Sequence, residues 1–309
     1  MDIALMIEGQ MGLTWDRWMR IARAAEDLGF AGLYRSDHFT SPAPPQADSL
    51  ELWSSLTWLA SHTDRIEFGP LVPPVSFRHP VFIARTGKDI DTLSGGRLTL
   101  GVGGGWQDLE HEMFGFPLLK GRGRFDRFRE GAEVVYRLLR ETGPVNYKGD
   151  YYHLREAQLL PPPMAPGRPP LLIGGHGRQH TLPLAARLAD EWNCAFQSPE
   201  TYADLNQHLD GLLENQGRDL GSVRRSVMTN ITYGRDADDL DRKLAARGSS
   251  LHLERSRPIV VGVGDEVIPQ LEAYQLAGAQ RIMLQWLELD DLDGLASLAA
   301  TALPVFRGS

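Results

Sequence analysis

An aspartate followed directly by a histidine, in Ser36-Asp37-His38-Phe39, is the pair in this 309-residue chain best suited to proton chemistry. Histidine is the side chain whose ordinary pKa lets it give and take a proton near neutral pH. The pair follows Gly32-Leu33-Tyr34, a short apolar run after a helix-like segment that stops at Gly29. It therefore stands just past the carboxyl end of an early strand. In folds built from repeated strand–helix units, that edge is where ligands bind. Taken without this context, Asp37-His38 is an ordinary structural or solvated loop pair.

Three further clusters sit at equivalent places. Gly101-Val102-Gly103-Gly104-Gly105-Trp106 ends the fourth strand. Its glycines let backbone approach a flat ligand because no Cβ intervenes. The pattern is not a dinucleotide fingerprint, which fails at Trp106 and belongs in a first strand–helix turn. The alternative is a plain turn with Trp106 packing as a lid. Ile173-Gly174-Gly175-His176-Gly177-Arg178 lies between the fifth strand and its helix. Backbone N–H groups at a helix start, with Arg178 beside them, suit a phosphate; the alternative is a plain connecting turn. After the third strand, Pro73-Pro74 stiffens a loop carrying Arg78 and His79. These two suit an anionic ligand, or simply lead into a helix opened by Pro80. Glu110-His111-Glu112 reads as a solvated helix face. Metal binding is not expected: His38, His79, His111, His153 and His176 form neither His-Glu-x-x-His nor a set with paired cysteines. No Gly-x-Ser-x-Gly elbow points to a serine hydrolase.

Short apolar runs alternating with helical patterns must position these clusters. Strands are expected at Ile3–Ile7, Gly32–Tyr34, Ile66–Val72, Leu98–Val102, Leu171–Ile173, Glu191–Ala195, Val227–Tyr233 and Arg281–Gln285. Between them run helical stretches such as Trp15 to Leu28, with Thr14 as N-cap and Gly29 as stop. Residues 145–154 read as a hairpin turning at Lys148-Gly149-Asp150, and Pro161 to Pro170 as a stiff connector. Gly248 to Gly264 reads as irregular. Eight strand–helix units in one chain of this length predict an α/β fold, a (β/α)8 TIM barrel formed as a single domain over residues 1–309.

Composition narrows the function classes. A net charge of −8 disfavours general affinity for nucleic acid or anionic membranes. One cysteine, Cys194, excludes an internal disulfide. No apolar run reaches 18 residues and no basic leader opens the chain, so a cytoplasmic location is expected.

Taken together, the motifs resemble the bacterial luciferase-like family of flavin- and deazaflavin-dependent oxidoreductases. The resemblance covers nearly the whole chain. It runs through Arg23 to Phe30, Ser36-Asp37-His38-Phe39, Arg78-His79-Pro80, Asp91 to Leu98, Gly101 to Trp106, Gly174-Gly175 and Ala189-Asp190-Glu191-Trp192. It implies a (β/α)8 barrel with inserted segments, a homodimer, and an isoalloxazine-type ring in the barrel mouth. The Ser-Asp-His-Phe form resembles the members that use coenzyme F420. By that resemblance Asp37 helps hold the cofactor and His38 handles the substrate proton. A non-proline cis peptide is expected at Leu71-Val72, backing the ring. Gly174, Gly175, His176, Gly177 and Arg178 are expected at the cofactor phosphate, and Gly103, Gly104 and Gly105 along its polar tail. The family's sugar-phosphate dehydrogenases carry Glu where this chain has Trp106 and Trp where it has Pro42. Glucose 6-phosphate is therefore not the expected substrate. The leading expectation is hydride transfer between F420 and a small organic molecule. The alternatives are an FMN-dependent monooxygenase served by a partner reductase and a non-catalytic flavin-binding protein. A phosphate-handling isomerase or aldolase barrel is a further alternative, and it lacks a clear Lys or Glu at a strand end.

Overall fold

The computed structural model describes residues 1–306; the last three residues of the expected 1–309 domain lie outside that range. In chain order the elements are β1 (Asp2–Ile7), α1 (Trp15–Leu28), β2 (Gly32–Arg35), α2 (Leu52–His62), β3 (Glu67–Pro70), α3 (Pro80–Leu93), β4 (Leu100–Val102), α4 (Asp108–Phe114) and α5 (Gly121–Arg140). There follow β5 (Val145–Lys148), β6 (His153–Ala157), β7 (Leu171–Gly174), α6 (Thr181–Leu188), β8 (Glu191–Ala195), α7 (Pro199–Asn215) and β9 (Arg224–Gly234). The chain closes with α8 (Ala237–Ala246), α9 (Leu251–Arg255), β10 (Val260–Val263), α10 (Ile268–Leu276), β11 (Arg281–Gln285) and α11 (Leu292–Phe306).

Local chemistry sets these boundaries. The Thr14 hydroxyl accepts from the Arg17 N–H, and Gly29 ends α1 at φ 88°, a conformation only glycine adopts freely. The helix buries Trp18, Ile21, Ala22 and Ala25 on one face. A side chain such as Ile21 contributes about 1.5–3 kcal/mol by leaving water.

Eight parallel strands run in the order β3-β2-β1-β11-β9-β8-β7-β4. A bridge between Phe68 and Leu98 joins the two ends of that order, so the sheet closes into the expected (β/α)8 barrel. β5 and β6 form the expected antiparallel hairpin. One expectation fails: residues 248–264 are not irregular. They carry α9 and then β10, which pairs in parallel with the far half of β9, Val260 opposite Ile231. β9 is long enough to hold a second partner because it extends to Gly234 rather than Tyr233 and starts at Arg224 rather than Val227. The third and fourth strands are shorter than expected, since the paired segments stop at Pro70 and begin at Leu100.

Inward-facing residues stack in levels. At the amino-terminal floor the fully buried Arg281 meets Tyr34, Glu67, Glu191 and Asp2. Burial lifts the Glu191 carboxyl above the usual range, with Arg281 opposing it. Ala4, Met6, Leu71, Leu172, Met228 and Met283 fill the middle. The carboxyl-terminal mouth is polar. There Glu8 meets the amides of Gln10 and Gln285, and the Asn230 Oδ1 is buried with no hydrogen-bond partner.

Candidate active site at the barrel mouth

Three consecutive strand–helix loops converge on His38. Its Nδ1 lies 2.9 Å from Glu110 Oε1, and the Phe39 N–H donates to Glu110 Oε2 at 3.0 Å. The Glu110 side chain is 1% exposed and that of His38 14%. A carboxylate only accepts, so Nδ1 carries the proton in this pair and Nε2 is the ring's remaining proton site. Burial alone would lower the His38 pKa. The hydrogen bond and charge of Glu110, with the charges of Glu8 and Asp37, outweigh it and hold the imidazole above its ordinary value.

Asp37 does different work. It is 5% exposed and takes both arms of Arg78, at 2.9 and 2.8 Å. Arg78 also reaches Glu51 at 3.0 Å and lies over the rings of Phe39 and Phe77. Burial pushes the Asp37 carboxyl up while Arg78 pulls it down, and burial prevails. The pair pins the β2 loop to the β3 loop. Ser36 pins it on the other side, accepting from the Gly9 N–H and donating to Gln10 Oε1, both at 2.9 Å.

Arg78 is thus engaged by carboxylates rather than free for an anionic ligand. Glu110 and His111 overturn the solvated-face reading: they are 0% and 2% exposed. His111 bonds Ser76 Oγ through Nε2 at 2.8 Å and the Gln107 carbonyl through Nδ1 at 2.7 Å. The α4 helix that carries them is seven residues long and is covered by the β2 and β3 loops. Helical periodicity carries no trace of such cover. The available signal was position, because Glu110 follows the glycine turn at a strand's carboxyl end. Glu8, just past β1, was missed for want of any motif around it.

The glycine clusters converge on one residue. A Cβ at Gly101 would stand 2.6 Å from Val72 Cγ1 and one at Gly103 2.4 Å from Val72 Cγ2. One at Gly174 would stand 3.6 Å from Val72 Cγ1. The Leu71-Val72 peptide is cis, as the resemblance implied. Small residues thus surround a half-buried Val72, and the orphaned Asn230 acceptor, opposite Gln285, lies at the same end of the barrel. That cradle fits a planar heterocycle with polar edges.

The loop after β7 is less simple. α6 starts at Thr181, so His176, Gly177 and Arg178 precede the helix rather than open it, and all three are exposed. Arg178 is ion-paired with Asp204 of α7. Gly104 stands against Phe128, and Gly105, at φ 77°, against Ser76. Trp106 is no packed lid: it is 57% exposed, its ring edge-on to His38 at 5.4 Å. Among the described residues no helix is long and apolar enough to cross a membrane.

A closed (β/α)8 barrel whose mouth carries a carboxylate-clamped histidine and a glycine-walled Val72 places the chain in the class of parallel α/β barrels. The chain belongs to the luciferase-like monooxygenase family, whose sequence profile matches residues 4–299. It is 29% identical over 217 residues to an F420-dependent glucose-6-phosphate dehydrogenase of Kineococcus radiotolerans, a match covering 69% of this chain and 62% of that one. A namesake from Nakamurella multipartita is 29% identical over 286 residues, covering 88% and 79%. Among solved structures, an F420-dependent secondary alcohol dehydrogenase in complex with an F420-acetone adduct superposes with a TM-score of 0.86 at 19% identity, covering 98% of each chain. The first of these matches spans less than two thirds of the relative's length; the last shows likeness of fold.

Proposed function

We propose that this protein is an oxidoreductase that moves hydride between coenzyme F420 and a small uncharged organic substrate. The observations that carry the reading are the His38–Glu110 couple and the glycine-walled Val72, both set in loops at the barrel's carboxyl-terminal end. The names of the F420-dependent relatives support the choice of cofactor. In this reading Asp37, Leu71, Val72, Gly103, Gly104 and Gly105 hold the ring and its tail. Gly174, Gly175, His176 and Gly177 take the phosphate, with Arg178 adding positive charge nearby. Bound there, the deazaflavin supplies or accepts the hydride. His38 Nε2 takes the hydroxyl proton as an alcohol becomes a carbonyl compound, and returns it in the reverse direction. Glu110 fixes the tautomer that leaves Nε2 able to accept, and it stabilises the imidazolium that results. Asp37 and Arg78 hold the loop that places His38. Asp37, Glu51, Glu8 and Glu110 outnumber the cations around them, which disfavours an anionic group at the reacting centre.

A single barrel, working as a homodimer in the cytoplasm, belongs to the same reading. The exposed Phe82 and Leu93 on α3 support a subunit contact. Light scattering at twice the chain mass is the expected result, and a monomer mass would refute it. The test of function is titration calorimetry with F420 and FMN, followed by anaerobic turnover with alcohols and ketones. Tight F420 binding and oxygen-independent turnover are expected. Tight FMN binding with oxygen consumption would replace this reading with a reductase-fed monooxygenase. Binding without turnover, unchanged by His38→Ala, would indicate a flavin-binding protein.

A further inference from the structure

Outside the reacting pair, one cavity lies between the start of α5 and the start of α6. It measures about 680 Å³ and is lined by Gly121, Arg122, Phe125, Asp126 and Arg129 of α5 and by His180, the N-cap of α6. A run of rings links it to the barrel mouth. Gly104 faces Phe128, so close that a Cβ there would lie 3.4 Å from the Phe128 Cβ. Phe128 meets Phe125 edge-on at 6.4 Å, and Phe125 stacks on His180 at 4.5 Å. His180 itself follows the Gly174 to Gly177 turn, its N–H donating to the Gly177 carbonyl at 3.3 Å.

The charge of this cavity opposes that of the chain. The protein carries a net −8, yet the first half of α5 presents Arg122, Arg124, Arg127 and Arg129. The local acids do not neutralise them. Asp126 is shared between Arg122 at 3.4 Å and Arg129 at 3.9 Å. Glu130 is buried and accepts from the Asp150 and Tyr151 N–H groups, with Arg129 3.8 Å away. Arg122 is 88% exposed and Arg129 43%, so both guanidinium groups are open to an anion in the cavity.

We propose that this cavity binds the carboxylates of the glutamate tail that coenzyme F420 carries beyond its phosphate, a part FMN does not have. The proposal rests on the deazaflavin reading above and extends it to a cofactor-selecting site. The ring lies at the mouth, the phosphate at the glycine turns, and the tail runs past Phe128 and Phe125 to Arg122 and Arg129. Attraction of this exposed kind is screened within about 10 Å at 0.1 M salt.

The experiment is calorimetry on the whole chain with three probes: the deazaflavin riboside alone, F420 lacking glutamates, and F420 with several. Each is titrated into the unaltered protein at low and high salt, and into Arg122→Glu/Arg129→Glu and Arg122→Lys/Arg129→Lys. The long-tailed form should bind tightest, with an advantage that salt removes. Two exposed ion pairs, each contributing roughly threefold, predict about tenfold weaker long-tail binding in the glutamate variant. The riboside should bind that variant unchanged, which also certifies its fold, and the lysine variant should keep most of the advantage. Equal affinity for short and long tails, or a glutamate variant that keeps the difference, would overturn the proposal. The salt series on the unaltered chain decides the point without any substitution. If the riboside did not bind the unaltered protein, the deazaflavin reading would fall, and this proposal with it.

Discussion

Replacing Glu110 by glutamine tests the site most directly. The carboxylate is buried, holds His38 Nδ1 at 2.9 Å and takes the Phe39 N–H. Glutamine keeps the size and the second bond but removes the charge. Its amide NH₂, turned to Nδ1, makes that nitrogen an acceptor and moves the ring proton to Nε2. Burial then acts on His38 with less opposition, so its pKa falls toward and below the ordinary value. A charge-assisted hydrogen bond of this kind contributes about 1.5–3 kcal/mol. If it operates in the transition state, turnover should drop roughly ten- to a hundredfold. Nitrogen-15 imidazole NMR on the protein without substrate reads both the tautomer and the titration of His38. Stability carries the matching signature. The folded pKa of His38 is raised above 6.5, so its contribution is complete below that pH and is lost as pH rises through the folded value. The stability gap between wild type and Glu110→Gln should therefore shrink from pH 6 toward alkaline pH. A variant with unmoved His38 shifts and unmoved turnover would refute the couple.

Other changes separate support from chemistry. Arg78→Met leaves Asp37 buried without its partner, so unfolding stability should fall by about 3–5 kcal/mol in urea titration, with Arg78→Lys losing less. Arg281→Leu strands Glu191 at the barrel floor, and a loss of the same order is expected with cofactor affinity unchanged in the folded fraction. Gly103→Ala would thrust a Cβ to 2.4 Å from Val72 Cγ2, and should weaken cofactor binding at least tenfold by calorimetry while the circular dichroism stays native. Full affinity there would mean that Val72 is not the cofactor floor.

The barrel was legible because parallel strands buried on both faces read as apolar runs. β8 and β11 fall where the sequence puts them, at Glu191–Ala195 and Arg281–Gln285, each opened by a charged residue. β10 was not, because four residues holding Gly262 acquire strand character only from pairing with the overhanging end of β9. Asp37 and His38 stood out by position. Their partners did not. Arg78 is 41 residues from Asp37 and Glu110 is 72 from His38. Which charges meet across such gaps is set by the barrel's closure. Glu110 lies on a seven-residue helix too short to show a periodic apolar stripe, and its carboxylate is internal because His38 and the Phe39 N–H of the β2 loop close over it.

The edge-on contact of Trp106 with His38 gives the protein a built-in optical reporter. An imidazolium withdraws electron density from an excited indole and quenches its emission, whereas neutral imidazole does so weakly. Seven tryptophans contribute to the emission, but Trp18, Trp192 and Trp286 are buried, and the indole that meets His38 edge-on is that of Trp106. The difference spectrum between the unaltered chain and Trp106→Phe therefore isolates one indole, 5.4 Å from the titrating ring. Followed in a stopped-flow mixer, that single signal times the arrival and departure of the proton on His38.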